Sequence, residues 1–130
     1  MENNIRVNSI LLLESDFRRI SSVMFGEDVV SEVTIETEIS NPNNNLINVL
    51  ETVTVKQKCN EQEQVSIRVK MVGVFECDDI ADYEEFGKIQ GASIIFPYIR
   101  EHLTSLSLKA GIPAIILPPV DFKNSVKNNA

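Results

Sequence analysis

Histidine and cysteine are scarce in this sequence, which has one histidine, His102, and two cysteines, Cys59 and Cys77, among its 130 residues. A single histidine cannot form a multi-histidine metal site within one chain, and the spacing of the three residues matches no zinc pattern. The sequence also lacks the P-loop, the G-x-G-x-x-G motif and the G-x-S-x-G motif. We therefore expect no enzymatic activity, no metal and no cofactor.

Basic residues are also few, with 12 Lys and Arg against 19 Asp and Glu and a net charge of −7. This balance argues against binding to nucleic acid, whose phosphates require a basic surface, and against binding to an anionic membrane. No apolar run is long enough to span a bilayer. The N-terminus, MENNIRVNSILLLESD, lacks the basic start and small-residue cleavage site of a signal peptide. We therefore expect a cytoplasmic protein with reduced cysteines.

Alternating apolar and polar residues predict four β-strands in a single domain. The strands are expected at residues 5–13, 30–40, 46–59 and 64–76. Polar turns at residues 41–45 and 60–63 join the last three strands, which is the pattern of an antiparallel meander.

The first predicted strand is apolar on both faces at its far end. Val7, Leu11 and Leu13 are expected on one face, and Ile10 and Leu12 on the other. Such a strand end is either buried on both sides or used in an interface.

Residues 93–109 predict a long amphipathic helix. Its apolar stripe consists of Ile95, Ile99, Leu103 and Leu106. Ser93 is the expected N-cap, and Gly111 follows the end of the helix. Residues 77–91 are expected to form a short helix or an ordered crossover. The expected fold class is therefore α+β, with a four-stranded antiparallel sheet and this helix packed on one face.

An apolar tail at residues 112–122 follows the helix and contains Pro113, Pro118 and Pro119. Because proline lacks a backbone donor, the tail cannot lie in a central strand. It must cover another apolar surface or be covered itself.

The helix and the tail together resemble the C-terminal half of SecB, the bacterial protein-export chaperone. The matching residues are Phe96-Pro97-Tyr98, Arg100-Glu101, Thr104-Ser105, Pro113 and Pro119-Val120-Asp121-Phe122. The resemblance implies a four-stranded antiparallel sheet with helices on one face, and protomers that pair and then form tetramers through their long helices. It also implies an apolar groove that holds unfolded client polypeptides without ATP.

Apolar residues at unusual places are the candidates for such a client groove. They are Met24, Phe25, Phe75, Phe86, Ile112, Ile115 and Leu117. Residue types alone favour a second role, completion of a small core, whereas the resemblance favours the groove. For a homodimer or homotetramer, the interface candidates are Leu11, Leu13, Ile95, Ile99, Leu103 and Leu106.

Docking to the export motor SecA is a further implication of the resemblance, because SecB-like proteins use acidic side chains for it. The matching positions here are Glu14, Arg18 and Arg68, so two of the three carry the opposite charge. The last helix of the family is reduced to residues 123–130. Two functions remain open. The first is a holdase for unfolded or secretory polypeptides, with or without a role in export. The second is a SecB-like protein dedicated to one partner, as an antitoxin-type chaperone or a regulatory or scaffold subunit.

Overall fold

The computed structural model describes residues 5–26, 28–78 and 82–124. Four strands form one antiparallel sheet in the order β1-β4-β3-β2. The strands are β1 (Ile5–Arg19), β2 (Val29–Ile39), β3 (Leu46–Cys59) and β4 (Gln62–Cys77). The predicted fold class is confirmed, with the meander confined to β2, β3 and β4 while β1 pairs with β4. Residues 79–81 of the predicted crossover and residues 125–130 lie outside the described residues.

Strand β1 differs most from the prediction, since it continues to Arg19 and contains two irregularities in its pairing with β4. The register shifts between Val7 and Ser9 and again between Leu12 and Glu14. Each shift adds one unpaired residue, which exchanges the faces of the residues that follow. The prediction that Val7 and Leu11 share a face is therefore wrong.

Residues 77–91, expected to form a short helix or an ordered crossover, contain a short helix that is continuous with the long one, and together the two helices form the helical layer. Asp82 caps α1 (Tyr83–Phe86) by accepting from the backbone N–H of Glu85 at 3.0 Å. A π-helical turn (Gly87–Gly91) leads without a break into α2 (Ala92–Lys109). Ser93 is consequently not an N-cap, and its hydroxyl donates to the carbonyl of Ile89 at 2.6 Å.

Glycine is required where this layer begins to cross the sheet. A Cβ atom at Gly91 would lie 3.0 Å from Cγ2 of Val49 on β3, and one at Gly87 would overlap Ile39 on β2. Both glycines therefore let the helical backbone approach the strands closely.

The core lies between the sheet and the helical layer. Odd-numbered residues of β3 and β4 form its floor, including Val53 and Ile67, and the predicted stripe of α2 covers them. We call this side of the sheet the inner face and the opposite side the outer face. Among the described residues, no helix is both long enough and apolar enough to cross a membrane.

The apolar tail runs back along α2 and completes this cover. Ile112, Ile115, Leu117 and Phe122 are buried in the same core cluster. The backbone of Ile115 is satisfied by helix hydroxyls, because its N–H donates to Ser107 Oγ at 2.9 Å and its carbonyl accepts from Thr104 Oγ1 at 2.8 Å. These two bonds explain how a proline-rich segment lies extended without joining the sheet.

Candidate functional site

The seven predicted groove residues fall into three separate groups. Phe75 and Phe86 pack edge to face at one end of the sheet, Ile112, Ile115 and Leu117 lie in the tail, and Met24 and Phe25 lie in the loop between β1 and β2. The first five are buried in the isolated chain, whereas Met24 and Phe25 are 61% and 57% exposed. The structure therefore divides the predicted groove into core residues and exposed residues.

The exposed Met24–Phe25 pair is fixed in place by Gln64 of β4. The N–H of Met24 donates to Gln64 Oε1 at 2.6 Å, and Gln64 Nε2 donates to the carbonyl of Met24 at 2.9 Å. Gln64 is itself buried. Because Gln64 and Phe75 are eleven residues apart on β4, the two groups are separated by roughly 36 Å along the strand.

A groove between α2 and the tail is a concave, mainly apolar surface that includes the predicted residue Leu117. It has a volume of about 500 Å³ and is lined by Pro97, Arg100, Glu101, Thr104, Ser105, Leu108, Ile116 and Leu117. Leu117 was predicted, but Leu108 and Ile116, which are 63% and 71% exposed, were not. Leu108 is an apolar residue outside the predicted stripe of α2. This position could have identified it from the sequence as an exposed apolar side chain.

The candidate interface residues also divide by burial. Ile95, Ile99 and Leu103 are fully buried against the sheet, and Leu106 is partly buried, so the first three are not available to a second chain while α2 remains packed. Leu11 and Leu13 of β1 are about half exposed.

The opposite side of α2 exposes another set of apolar side chains. Ile94, Tyr98 and Leu108 lie on it, at spacings of four and ten residues that keep them on one side of a helix. An interface through this helix would use that side.

The residues that match SecA-docking positions lie on the outer face. Arg68 Nε donates to Glu14 Oε2 at 3.0 Å, and Arg18 lies 3.7 Å from Asp16. The only acid among the three predicted docking residues is therefore already engaged by one of the two arginines.

The residues considered for metal binding or catalysis are dispersed. Cys59 and Cys77 lie at opposite ends of the sheet, opposite Val29 and Ile5 respectively. His102 Nε2 lies 2.8 Å from Ser15 Oγ. Burial and, to a lesser degree, the charge of Asp78 raise the pKa of the Cys77 thiol. In the described part of the chain, no three His, Cys, Asp or Glu side chains form a metal-binding group.

Glu51 is a buried polar residue that the sequence did not single out. It lies on the inner face between Val49 and Val53, opposite Thr37 of β2 and Met71 of β4. Its side chain is fully buried, and neither carboxyl oxygen has a hydrogen-bond partner among the described residues. Burial raises the pKa of Glu51 from its ordinary value of 4.5 to about 8.

Comparison with known proteins gives a consistent result across sequence and structure. The family described as "Preprotein translocase subunit SecB" matches residues 20–129. The protein-export protein SecB of Aromatoleum aromaticum is 34% identical over 95 residues, which cover 71% of this chain and 60% of that protein. A protein of Methanocaldococcus jannaschii is 29% identical over 107 residues, which cover 78% of this chain and 69% of that protein.

The chain spans about 40% to 60% of the length of the SecB proteins it matches, for example 46% of SecB from Alcanivorax borkumensis. Among solved structures, a SecB-like chaperone of Mycobacterium tuberculosis in complex with a ChAD peptide from the HigA1 antitoxin superposes with a TM-score of 0.80. The two chains are 13% identical, and the superposition covers 89% of this chain and 90% of that one. This similarity shows that the fold is shared.

Two adjacent isoleucines of the tail allow core and surface roles to be separated. Ile115 is 6% exposed and Ile116 is 71% exposed. We expect Ile115→Ser to lower the free energy of unfolding by about 3 kcal/mol, because it leaves a cavity and buries a hydroxyl.

The matched control, Ile116→Ser, should change this free energy by less than about 0.5 kcal/mol. Urea denaturation of both variants gives the comparison. Equal effects of the two substitutions would contradict the observed burial of the tail.

Proposed function

Because the chain belongs to the SecB family, we propose that it is an ATP-independent chaperone that holds unfolded polypeptides in the cytoplasm. The family consists of chaperones and not of enzymes. A holdase must keep apolar surface exposed in its folded state while the fold itself remains stable. The proposal therefore depends on apolar side chains that the sheet and the helical layer leave uncovered.

The groove between α2 and the tail is the observation that carries this proposal. Leu108 and Ile116 project into it from the helix and from the tail, and Leu117 lines it between them. Burial alternates from Ile115 to Leu117, so that Ile116 faces away from the core while its two neighbours are buried in it. The tail therefore seals the core with one set of side chains and offers the other to a client.

The Met24–Phe25 pair is proposed as a second client contact. Methionine and aromatic side chains adapt to different apolar partners at little cost, which suits a binder of varied sequences. Gln64 holds the backbone here while both side chains stay exposed. A client long enough to reach both surfaces would gain from binding two contacts at once.

Homo-oligomerisation is the role we propose for the exposed edge of β1. Val7, Leu11, Leu12 and Leu13 are all about half exposed there. A strand edge with apolar residues on both faces is prone to pair with another strand. We therefore propose a dimer that pairs through β1, and a tetramer in which Ile94 and Tyr98 on the exposed side of α2 join two dimers, which leaves Leu108 to the client groove.

A dedicated partner in place of the export motor is the second candidate function. The specific observation behind it is the ion pair between Arg68 and Glu14. Because Arg68 neutralises the one acid at these positions, the outer face offers little attraction for a basic docking module.

The client groove is tested by the double substitution Leu108→Ser with Ile116→Ser. Both side chains are largely exposed, so the thermal midpoint should remain within a few degrees of that of the parent protein. Loss of their apolar contact should weaken client binding by roughly 2 kcal/mol, which corresponds to more than tenfold in Kd. The measurement is suppression of aggregation of several unrelated, slowly folding proteins.

Val30→Ser is the matched control, because Val30 is similarly exposed but lies on the distant edge strand β2. It should leave aggregation suppression intact. Undiminished activity of the double variant would exclude the groove, and activity toward one protein alone would favour the dedicated-partner function.

The oligomer is tested by replacing Leu11 and Leu13 with Lys. Charges at a self-associating strand edge should separate the subunits. Light scattering at micromolar concentration should then show a monomer for the variant and a dimer or tetramer for the parent protein. Val30→Lys, on the other edge strand β2, should leave the oligomer intact. A monomeric parent protein would refute the proposal.

Binding to SecA tests the choice between export and a dedicated partner. We expect weak binding by the parent protein and stronger binding by the double variant Arg18→Glu with Arg68→Glu, which removes the ion pair and adds two acids. Calorimetric titration with SecA at low and at high salt measures the affinity of the parent protein and of the double variant. Tight, salt-sensitive binding by the parent protein would show that the ion pair does not block docking.

A further inference from the structure

Glu51 is the most anomalous residue of the core. A carboxylate buried without a hydrogen bond or an opposite charge is among the most costly groups a fold can contain. Glu51 is fully buried at the centre of β3, and both of its oxygens lack partners within the described residues. The proposed client surface does not use it.

The surroundings of Glu51 hold no compensating charge in the described part of the chain. The nearest inner-face residues are Ile35, Thr37 and Ile39 on β2, Val49 and Val53 on β3, and Val69, Met71 and Gly73 on β4. The inner stripe of α2 is aliphatic, and the buried tail residues are apolar.

The titratable groups that face this interface from its margins are few. His102 of α2 bonds Ser15 on β1, and Arg19 bonds the carbonyl of Ala110 at the end of α2. Tyr83 of α1 bonds Asn41, and Lys88 and Asp121 are exposed. The Cys77 thiol at the end of β4 is buried in the same core cluster, and burial raises its pKa above the ordinary value. Desolvation is accordingly the cause of the raised pKa of Glu51.

Among the described residues, three polar contacts tie the helical layer to the strands and to the loop after β2, and none of them involves a residue paired with Glu51. These contacts are Tyr83 with Asn41, His102 with Ser15, and Arg19 with Ala110. The tail hydrogen-bonds α2 through Thr104 and Ser107, so that α2 and the tail are joined to each other. Over Glu51 the layer is therefore held by apolar contact, and the hydrogen bonds that its opening would break among the described residues are these three.

We infer that Glu51 makes the closure of the helical layer on the sheet dependent on pH. While its carboxyl group is neutral, α2 and the tail stay packed over the inner face. When the carboxyl group loses its proton, the layer opens so that the carboxylate reaches water. Opening exposes apolar core residues such as Phe75 and Ile115.

The direction of the effect follows from proton binding. The folded pKa of Glu51, about 8, lies above its ordinary value of 4.5. The closed state therefore retains a proton that the unfolded state releases, and its stability is complete below the ordinary value and is lost as the pH rises toward 8. Above about pH 8 the stability no longer changes through Glu51, because its carboxyl group is then ionised in both the folded and the unfolded state.

The experiment compares the parent protein with Glu51→Gln by urea denaturation from pH 5 to pH 9. Glutamine keeps the size of glutamate without its ionisation. The ratio of the folding equilibrium constants, parent to variant, should fall by roughly tenfold per pH unit up to about pH 8. Binding of an apolar fluorescent dye under native conditions should rise over the last part of this range in the parent protein only.

Two further variants serve as controls. Glu36→Gln removes an exposed carboxylate of β2 and should retain the pH dependence of the parent protein. Glu51→Met also removes the ionisable group, so the ratio of the folding equilibrium constants of the parent protein and this variant should fall with pH in the same way. It takes the place of Glu51→Gln if the buried amide prevents folding. A ratio that does not vary with pH would overturn the inference. So would a falling ratio without increased dye binding, because the whole domain would then unfold and not the layer alone.

Discussion

Apolar contact between the inner face of the sheet and the helical layer is the interaction on which the rest of this structure depends. The strands β3 and β4 contribute every second side chain to it, and α2 contributes a stripe that includes Ile95 and Ile99. Since α2 covers only part of this face, the tail adds to the cover that α1 and the π-helical turn provide. The burial of the tail is thus a structural requirement, and only the side chains that point away from the core are free to bind other molecules.

The tail satisfies this requirement in an unusual way for an extended segment. A strand would have its backbone paired by a neighbouring strand, but prolines prevent that here. The hydroxyl groups of Thr104 and Ser107 on α2 bond the backbone of Ile115 instead. The position of the tail is therefore set by the helix, and any movement of α2 would carry the tail with it.

Much of the fold could be predicted from the sequence, because alternation and helical periodicity report directly which residues are buried. The strand β3 was predicted with its observed limits, and the stripe of α2 faces the sheet as expected. The bulges of β1 could not be predicted, because its run of Leu11, Leu12 and Leu13 fits either face equally well. The helix α1 lies within the residues expected to form a short helix or a crossover, but its unbroken connection to α2 was not predicted, because the π-helical turn does not keep a period of 3.6 residues.

The candidate site was harder to predict than the fold, since exposure depends on which chain segments meet. Ile115 and Ile116 are the same residue type in one apolar run, and only the position of α2 decides which of them is buried. Likewise, no pattern within one strand indicates that Arg68 would neutralise Glu14, because this ion pair depends on β1 lying beside β4.

The side-chain amide of Gln64 acts in place of a peptide group, accepting from the N–H of Met24 and donating to its carbonyl. A strand attached through its backbone loses several hydrogen bonds when it detaches, but the backbone of Met24 is bonded to the sheet through the Gln64 side chain, next to the partly buried Val23. The segment around Met24 can therefore separate and rebind as a small local unit while all four strands stay paired, at a free-energy cost far below that of global unfolding. The two exposed side chains next to this attachment can then change their orientation independently of the rigid sheet beneath them.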